Sequence, residues 1–119
     1  MIEVGEYVRT KKGYIAKITE IDNFIWFDNK INKESGIPCY ELSKVEFENL
    51  VTKHSKNIID LIEEGDYVNG EKIGQIENGF LWYGWSTEID DYSTFFKEKD
   101  IETIVTKEQM AQMEYKIKE

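Results

Sequence analysis

IEVGEYV at residues 2–8 recurs as IEEGDYV at residues 62–68. Two later segments also recur: FIWF at residues 24–27 as FLWY at residues 80–83, and EFENLVTK at residues 46–53 as DIETIVTK at residues 100–107. The spacing between matched segments falls from 60 residues to 58, where Ile15 and Ile18 match Ile73 and Ile76, and then to 56 and 54. Each loss lies in a polar stretch, where loops tolerate deletion. The sequence therefore predicts two copies of one module, residues 1–61 and 62–119, related by internal duplication.

Each copy is short for an independent domain. A unit of about 60 residues buries only about 60% of the surface that its unfolded chain exposes. In the FIWF segment, Phe24 and Trp26 point to one side of a strand while their apolar neighbours point to the other, and FLWY has the same pattern. A small barrel needs one such face for its core, so the other face must be covered by the sister copy, by another subunit or by a partner. Of these three we expect packing of the two copies.

Short segments rich in β-branched and aromatic residues, separated by Gly, Asn and Asp, predict an all-β fold. Asn78-Gly79 lies between two such segments and predicts a type I′ hairpin turn, because both residues accept positive φ. The first copy is predicted to form the same hairpin with a longer turn around Asp22-Asn23. A capping box from Thr106 to Gln109 predicts a short C-terminal helix whose apolar residues pack on the core: Met110, Met113 and Ile117.

The segments GEYV at residues 5–8 and GYIAKI at residues 13–18 resemble the start of small SH3-like barrels of the KOW type, which are found in ribosome and transcription-elongation proteins. The resemblance implies two tandem SH3-like small β-barrels with a short C-terminal helix. The second copy departs from the pattern, since NGEK at residues 69–72 replaces the basic RTKK at residues 9–12.

Three longer segments resemble small, mostly uncharacterised accessory proteins of phages and prophages of Gram-positive bacteria: VGEYVRTKKGYI at 4–15, KHSKNIIDLIEEGDYVNG at 53–70 and IVTKEQ at 104–109. This resemblance implies a protein that acts inside a bacterial host cell, and it implies no catalytic residue. The loops at 28–40 and 84–95 resemble nothing familiar. A function specific to one partner would be located in such loops.

The charge is distributed unequally. Residues 1–60 hold nine basic and ten acidic side chains, whereas residues 61–119 hold six and fourteen, so the halves carry −1 and −8 of the total net charge of −9. This balance argues against duplex binding, which depends on Lys and Arg at phosphates, and it permits an acidic surface that attracts a basic partner. The alternative is that the acidic side chains form a solvated face that only keeps the protein in solution. Without a signal peptide or an apolar run of about 18 residues, the chain is predicted to be cytoplasmic and not bound to membranes.

The residue types that carry chemistry are sparse. His54 is the sole histidine and Cys39 the sole cysteine, and neither has the neighbours in sequence that a catalytic triad or a zinc site needs. The acids Glu88, Asp90 and Asp91 lack the ligand spacing and the turn glycine of a calcium loop. No glycine-rich phosphate loop or dinucleotide fingerprint occurs. The sequence predicts no enzyme, no cofactor and no metal site.

We therefore expect a non-enzymatic protein that binds a host protein through its acidic second module. The most concrete version is an inhibitor of a host defence nuclease, such as an anti-CRISPR protein. The acid-rich face of the inhibitor would occupy the basic nucleic-acid channel of the nuclease. The predicted partner-binding residues are Glu88, Asp90, Asp91, Glu98, Asp100, Tyr83 and Trp85.

Two alternatives remain open, and the sequence leaves the oligomeric state undetermined. One is a nucleic-acid or transcription-complex module that uses the basic residues of the first copy, namely Arg9, Lys11, Lys12 and Lys17. The other is an aromatic cage for a methylated ammonium group, made of Tyr67, Tyr83 and Trp85 beside Glu64 or Asp66.

Overall fold

The computed structural model describes residues 1–113. The chain forms two compact units, Met1–Leu61 and a second that begins at Ile62, where the sequence repeat starts again. Both units consist mainly of antiparallel strands, so the chain is a mainly β protein, as predicted. No helix within residues 1–113 is long and apolar enough to cross a membrane.

The first unit is one antiparallel sheet with a helix before its last strand. Its elements are β1 (Tyr7–Thr10), β2 (Ile15–Ile21), β3 (Phe24–Asn32), β4 (Pro38–Ser43), α1 (Lys44–Leu50), β5 (Val51–Ser55) and a 3₁₀ helix (Ile58–Leu61). The strands pair in the order β4-β3-β2-β1-β5. Alternate residues of the strands and two residues of α1, Phe47 and Leu50, form the buried core. A capping box between Ser43 and Glu46 starts α1.

The second unit has shorter strands in two small sheets. Its elements are β6 (Tyr67–Val68), β7 (Glu71–Lys72), β8 (Gln75–Glu77), β9 (Phe80–Ser86), β10 (Asp91–Phe96), a 3₁₀ helix (Glu98–Asp100), β11 (Ile104–Val105) and α2 (Lys107–Met113). The sheets are β10-β9-β8 and β11-β6-β7. Only Ile73 and Gly74 separate β7 from β8. If β7 and β8 are counted as halves of one strand, the order becomes β10-β9-β8/β7-β6-β11, which corresponds to the order in the first unit.

Backbone hydrogen bonds show which residues correspond in the two copies. The Ile18 amide donates to the Glu6 carbonyl at 2.8 Å. The Ile73 amide donates to the Asp66 carbonyl at the same distance of 2.8 Å. Ile18 therefore corresponds to Ile73, and the match of Ile18 to Ile76 made from sequence is wrong. The reason is that the connection between β1 and β2 is replaced in the second copy by a two-residue turn, Asn69-Gly70, with φ of 52° and 82°.

The last strand of each unit also departs from the match made from sequence, which placed Val51 on Val105. Tyr7 pairs with Ser55, and the corresponding Tyr67 pairs with Val105. Val105 therefore occupies the position of Ser55. The helix α1 has 7 residues and the 3₁₀ helix that replaces it has 3, so the second copy reaches its last strand four residues earlier.

Both predicted hairpins form. Asn78 and Gly79 have φ of 52° and 79°, and Glu77 pairs with Phe80 across them, which confirms the type I′ turn. In the first unit, Ile21 pairs with Ile25 and three residues lie between them, whereas four lie between the corresponding pair, Ile76 and Leu81. The prediction of a longer turn in the first copy is therefore wrong, because its connection is one residue shorter.

The predicted C-terminal helix starts where expected. Thr106 Oγ accepts from the Gln109 amide at 3.3 Å, and the Gln109 side chain accepts from the Thr106 amide at 3.4 Å. Met110 is half-buried, but the Met113 side chain is 68% exposed, so the prediction that it packs in the core is wrong. Ile117 lies outside the described residues.

Candidate partner-binding surface

The hairpin of β9 and β10 carries most of the aromatic side chains of the second unit. Paired residues of an antiparallel hairpin lie on the same face of the sheet. The inner face contains Leu81, which is fully buried. On the same face, Tyr83 stacks on Phe96 with ring centroids 4.3 Å apart, and Trp85 meets Tyr92 edge-on at 5.1 Å. These contacts extend the core of the unit toward the end of the hairpin.

The opposite face of the hairpin carries an outer aromatic cluster, which consists of Phe80, Trp82 and Phe95. The Phe95 ring lies 4.8 Å from the Phe80 ring and 4.9 Å from the Trp82 ring. Phe95 is 42% exposed and the other two are half-buried. The three rings contact one another directly, and the Lys97 ammonium lies 5.9 Å from the centroid of the Phe80 ring, at the border of the cluster. The cluster is therefore an apolar patch and not a cage.

The first unit has only two of these three rings. Phe24 and Trp26 lie 6.4 Å apart at an interplanar angle of 73°, almost the geometry of Phe80 and Trp82, at 6.3 Å and 70°. The residue paired with Trp26 is Glu41, whereas the residue paired with Trp82 is Phe95. The third aromatic ring of the cluster is therefore specific to the second copy.

The hairpin tip, residues 85–91, contains three of the predicted acids. Ser86 pairs with Asp91 across the turn, and Glu88, Asp90 and Asp91 are all exposed. Two large apolar side chains are exposed with them: Trp85 at 53% and Ile89 at 62%. The tip holds no basic residue. It therefore combines an aromatic and an aliphatic side chain with three negative charges.

The other two predicted acids, Glu98 and Asp100, lie beyond the opposite end of β10. Six strand residues span about 20 Å, so the two groups of acids do not share one face. The Asp100 carboxylate accepts from the Lys97 amide at 2.9 Å and closes the local 3₁₀ turn. Lys97 and Lys99 alternate with these acids and offset their charge. The negative surface is therefore concentrated at the hairpin tip.

The structure does not assemble the aromatic cage. Tyr67 lies in β6, which belongs to a different sheet from Tyr83 and Trp85 in β9. Tyr83 and Trp85 already contact Phe96 and Tyr92. Within residues 1–113, no ring contact joins any two of the three proposed cage residues.

The side chains that could bind a metal ion and the thiol of Cys39 are candidate sources of chemistry in the sequence. In the part that the structure describes, no group of three or more His, Cys, Asp or Glu side chains could hold a metal ion. Cys39 is half-buried, and burial raises the pKa of its thiol. A raised pKa favours the less nucleophilic thiol form.

The basic residues of the first unit are not all available for phosphate contact. Arg9 is fully buried, and its Nη1 donates at 2.9 Å to the carbonyl of Leu61, in the 3₁₀ helix that packs on β1. Its assignment to a nucleic-acid surface is therefore wrong. Lys11 and Lys17 are exposed, and Lys12 is half-buried with its Nζ 3.4 Å from the Glu34 carbonyl.

The repeated acid of the motif, Glu6 or Asp66, has a structural role that sequence reasoning missed. One carboxylate oxygen accepts from the amide three residues earlier, that of Glu3 or Glu63. The second oxygen of Glu6 lies 2.8 Å from His54 Nδ1. Burial raises the pKa of Glu6, but the hydrogen bonds from the His54 ring and the Glu3 amide outweigh burial and hold the pKa below its ordinary value.

The second oxygen of Asp66 closes the corresponding contact in the second unit. It accepts from the Lys107 amide at 2.9 Å, at the first residue of α2. An acid that follows glycine in both copies is the signal that could have indicated this role.

Comparison with protein-family models, with characterised proteins and with solved structures gave no significant match.

Proposed function

We propose that the protein is a non-enzymatic binding protein whose hairpin tip docks on a basic surface of a partner protein. The observation that carries the proposal is the exposure of Trp85 and Ile89 beside three carboxylates that, among the described residues, form no ion pair. Tryptophan is enriched among the residues that dominate binding energy at protein interfaces. Charges around such an anchor raise the association rate and select the partner.

We further propose that each unit is a small SH3-like barrel, so that the chain contains two in tandem. The strand order β4-β3-β2-β1-β5, with a helical turn before the last strand, supports this proposal. The same order in the second unit, with β7 and β8 counted as one strand, supports it independently. Barrels of this type serve as scaffolds for many unrelated functions, and function then depends on the loops that they present.

The resemblance to phage and prophage proteins supports a host protein in the bacterial cytoplasm as the partner. The most concrete target is a host defence nuclease that the protein inhibits, as anti-CRISPR proteins do. A nuclease needs a basic channel to hold nucleic acid. An acidic tip with a tryptophan anchor has the charge and the shape to compete for that channel.

The proposal is tested by capture from a lysate of a Gram-positive host, followed by binding measurements with the purified partner. The test variants are Trp85→Ala and the double reversal Glu88→Lys with Asp91→Lys. The matched control reverses two exposed acids of the first unit, Glu20→Lys with Glu48→Lys.

We expect the tip reversal to slow association by about tenfold at low salt, with a smaller effect as salt screens the charges. Trp85→Ala should mainly raise the dissociation rate, and the control pair should bind normally. Equal binding by the tip variants and the native protein at every salt concentration would refute the proposal.

A further inference from the structure

The strand β10 forms one edge of its sheet, and pairing geometry fixes which of its backbone groups face outward. The Gly74 amide donates to the Trp82 carbonyl at 2.9 Å, so the backbone groups of Trp82 point toward β8. In an antiparallel strand the direction alternates from one residue to the next. The groups of Leu81 and Tyr83 therefore point toward β10.

The partners of those two residues on β10 are Phe96 and Thr94. Their amides and carbonyls are therefore used by the β9–β10 ladder. The register of β10 against β9 is constant from Asp91 to Phe96, so alternation along β10 directs the amides and carbonyls of Ser93 and Phe95 away from the sheet. Opposite Ser93, Gly84 has a φ of 72°, and its carbonyl accepts from the Ser93 side chain at 3.0 Å. Within residues 1–113, no backbone hydrogen bond joins β10 to any strand other than β9. Ser93 and Phe95 are both exposed.

The corresponding edge strand of the first unit is protected and β10 is not. An exposed edge is usually blunted by proline, by a charged side chain or by an irregularity in the ladder. The strand β4 has all three: Pro38 at its start, Glu41 beside Trp26, and a register shift against β3. The sequence of β10, DYSTFF, has no proline, and its single charge is at its first residue. Its register against β9 does not shift, and the irregular residue of this ladder, Gly84 with a φ of 72°, lies in β9 and not at the edge.

An unprotected edge next to an exposed apolar cluster is a template for strand addition. A second copy of this chain is the poorer candidate for the added strand, because two copies would each bring a net charge of −9. The negative tip adjoins the start of β10, and it would attract positive charge at the corresponding end of an added strand. A strand paired with β10 would also place alternate side chains beside Phe95 and Trp82.

The geometry points to β-strand addition: an extended segment of the partner protein pairs with β10, with Lys or Arg beside the hairpin tip and apolar side chains against the outer aromatic cluster. This inference rests on the proposed function, and it adds the mode of recognition and the chemistry of the bound segment. Main-chain hydrogen bonds at Ser93 and Phe95 would supply affinity, and the alternating apolar residues would supply specificity.

The test measures amide hydrogen exchange of the full-length, ¹⁵N-labelled chain by NMR. The probe is a synthetic peptide, acetyl-Lys-Lys-Val-Thr-Val-Lys-Lys-amide, which carries positive charge at both ends and alternating valines. A second peptide of the same sequence is N-methylated at the threonine and at both valines, so it keeps every side chain and charge but cannot donate from its centre. A third peptide has Glu in place of Lys.

The first peptide should slow exchange at Ser93 and Phe95 by about tenfold or more, since protection follows from a new hydrogen bond. Thr94 and Phe96 should be protected with and without peptide, as internal controls. The N-methylated and acidic peptides should have no effect. Phe95→Glu installs the residue that the first unit carries at this position and should abolish binding. The matched control, Tyr40→Glu on β4, should bind normally.

Three outcomes would overturn the inference. Failure of the first peptide to bind would refute strand addition by such a segment, and the lysate experiment would still decide the proposed function. The first peptide could also bind without protecting Ser93 and Phe95 and fail to bind the Glu88→Lys and Asp91→Lys variant. That result would refute pairing with β10 and support binding at the hairpin tip. Protection of both amides in the protein alone, with a dimer mass by light scattering, would show that a second copy covers the edge.

Discussion

Replacement of Asp66 by Asn tests whether the repeated acid holds the second unit together. The Asp66 side chain is fully buried. Its two oxygens accept from the Glu63 amide at 2.7 Å and from the Lys107 amide at 2.9 Å. Asparagine has nearly the same shape, but it replaces one acceptor oxygen with an amino group, which would face a backbone N–H.

A hydrogen bond to a charged group contributes about 1.5–3 kcal/mol, and a buried donor left without a partner costs about 1–3 kcal/mol. We therefore expect Asp66→Asn to lower the free energy of unfolding by about 2–4 kcal/mol, as an order-of-magnitude sum of these overlapping contributions. Small domains have a total stability of only about 5–15 kcal/mol, so the loss should be a large fraction of the whole.

Urea denaturation followed by tryptophan fluorescence measures this loss. A Trp26→Phe background leaves Trp82 and Trp85, so that both fluorophores report on the second unit. The control is Glu64→Gln, which also removes one negative charge but changes an exposed side chain. It should alter stability by about 0.5 kcal/mol or less. A loss below about 1 kcal/mol for Asp66→Asn would refute the structural role of the carboxylate.

Three further predictions concern the first unit, the outer rings and nucleic acid. The pKa of Glu6 in the folded state lies below 4.5, so its carboxylate stabilises the fold above that pH, and this stabilisation is lost as the pH falls through the folded-state pKa. An acid titration followed by Trp26 fluorescence should show this loss of stability, and the loss should be absent in Glu6→Gln. Trp82→Ala should cost more than Trp26→Ala in urea denaturation, by about 1 kcal/mol, because Trp82 also contacts Phe95. Fluorescence anisotropy with duplex DNA should give a log–log salt slope no steeper than about −2.7, the value for phosphate contacts from all three lysines of the predicted set: Lys11, Lys12 and Lys17.

The local elements of this fold could be predicted from sequence because their causes are local. Asn78-Gly79 adopts positive φ at both positions with little dependence on the rest of the chain. Thr106 and Gln109 exchange hydrogen bonds with amides three residues apart, so the helix start is determined within one turn. The repeat itself is visible because Gly5 and Gly65 precede acids that serve the same purpose in both units.

The correspondence between the later strands could not be predicted, because similar letters do not mark equivalent positions after an insertion or deletion. Val51 and Val105 match in sequence, yet a helix shortened by four residues places Val105 at the position of Ser55. The burial of Arg9 could not be predicted either, because its charge suggests a surface position, whereas the 3₁₀ helix 49 or more residues later in the chain packs on β1 and accepts its hydrogen bond through the Leu61 carbonyl. The two groups of acids are close in sequence, but β10 separates them in space.

The differences between the two copies bear on the proposed binding role of the second. The edge strands of the two copies correspond, and that of the first carries Pro38 and Glu41, which oppose pairing with another strand. The second carries Phe95 where the first carries Glu41, and three acids lie at its adjoining turn. Loss of edge protection raises the risk of aggregation, and net negative charge lowers it. A partner that covers β10 accounts for both changes together. If Phe95→Glu and the reversal of Glu88 and Asp91 weaken binding of the same partner, the edge and the tip are parts of one interface.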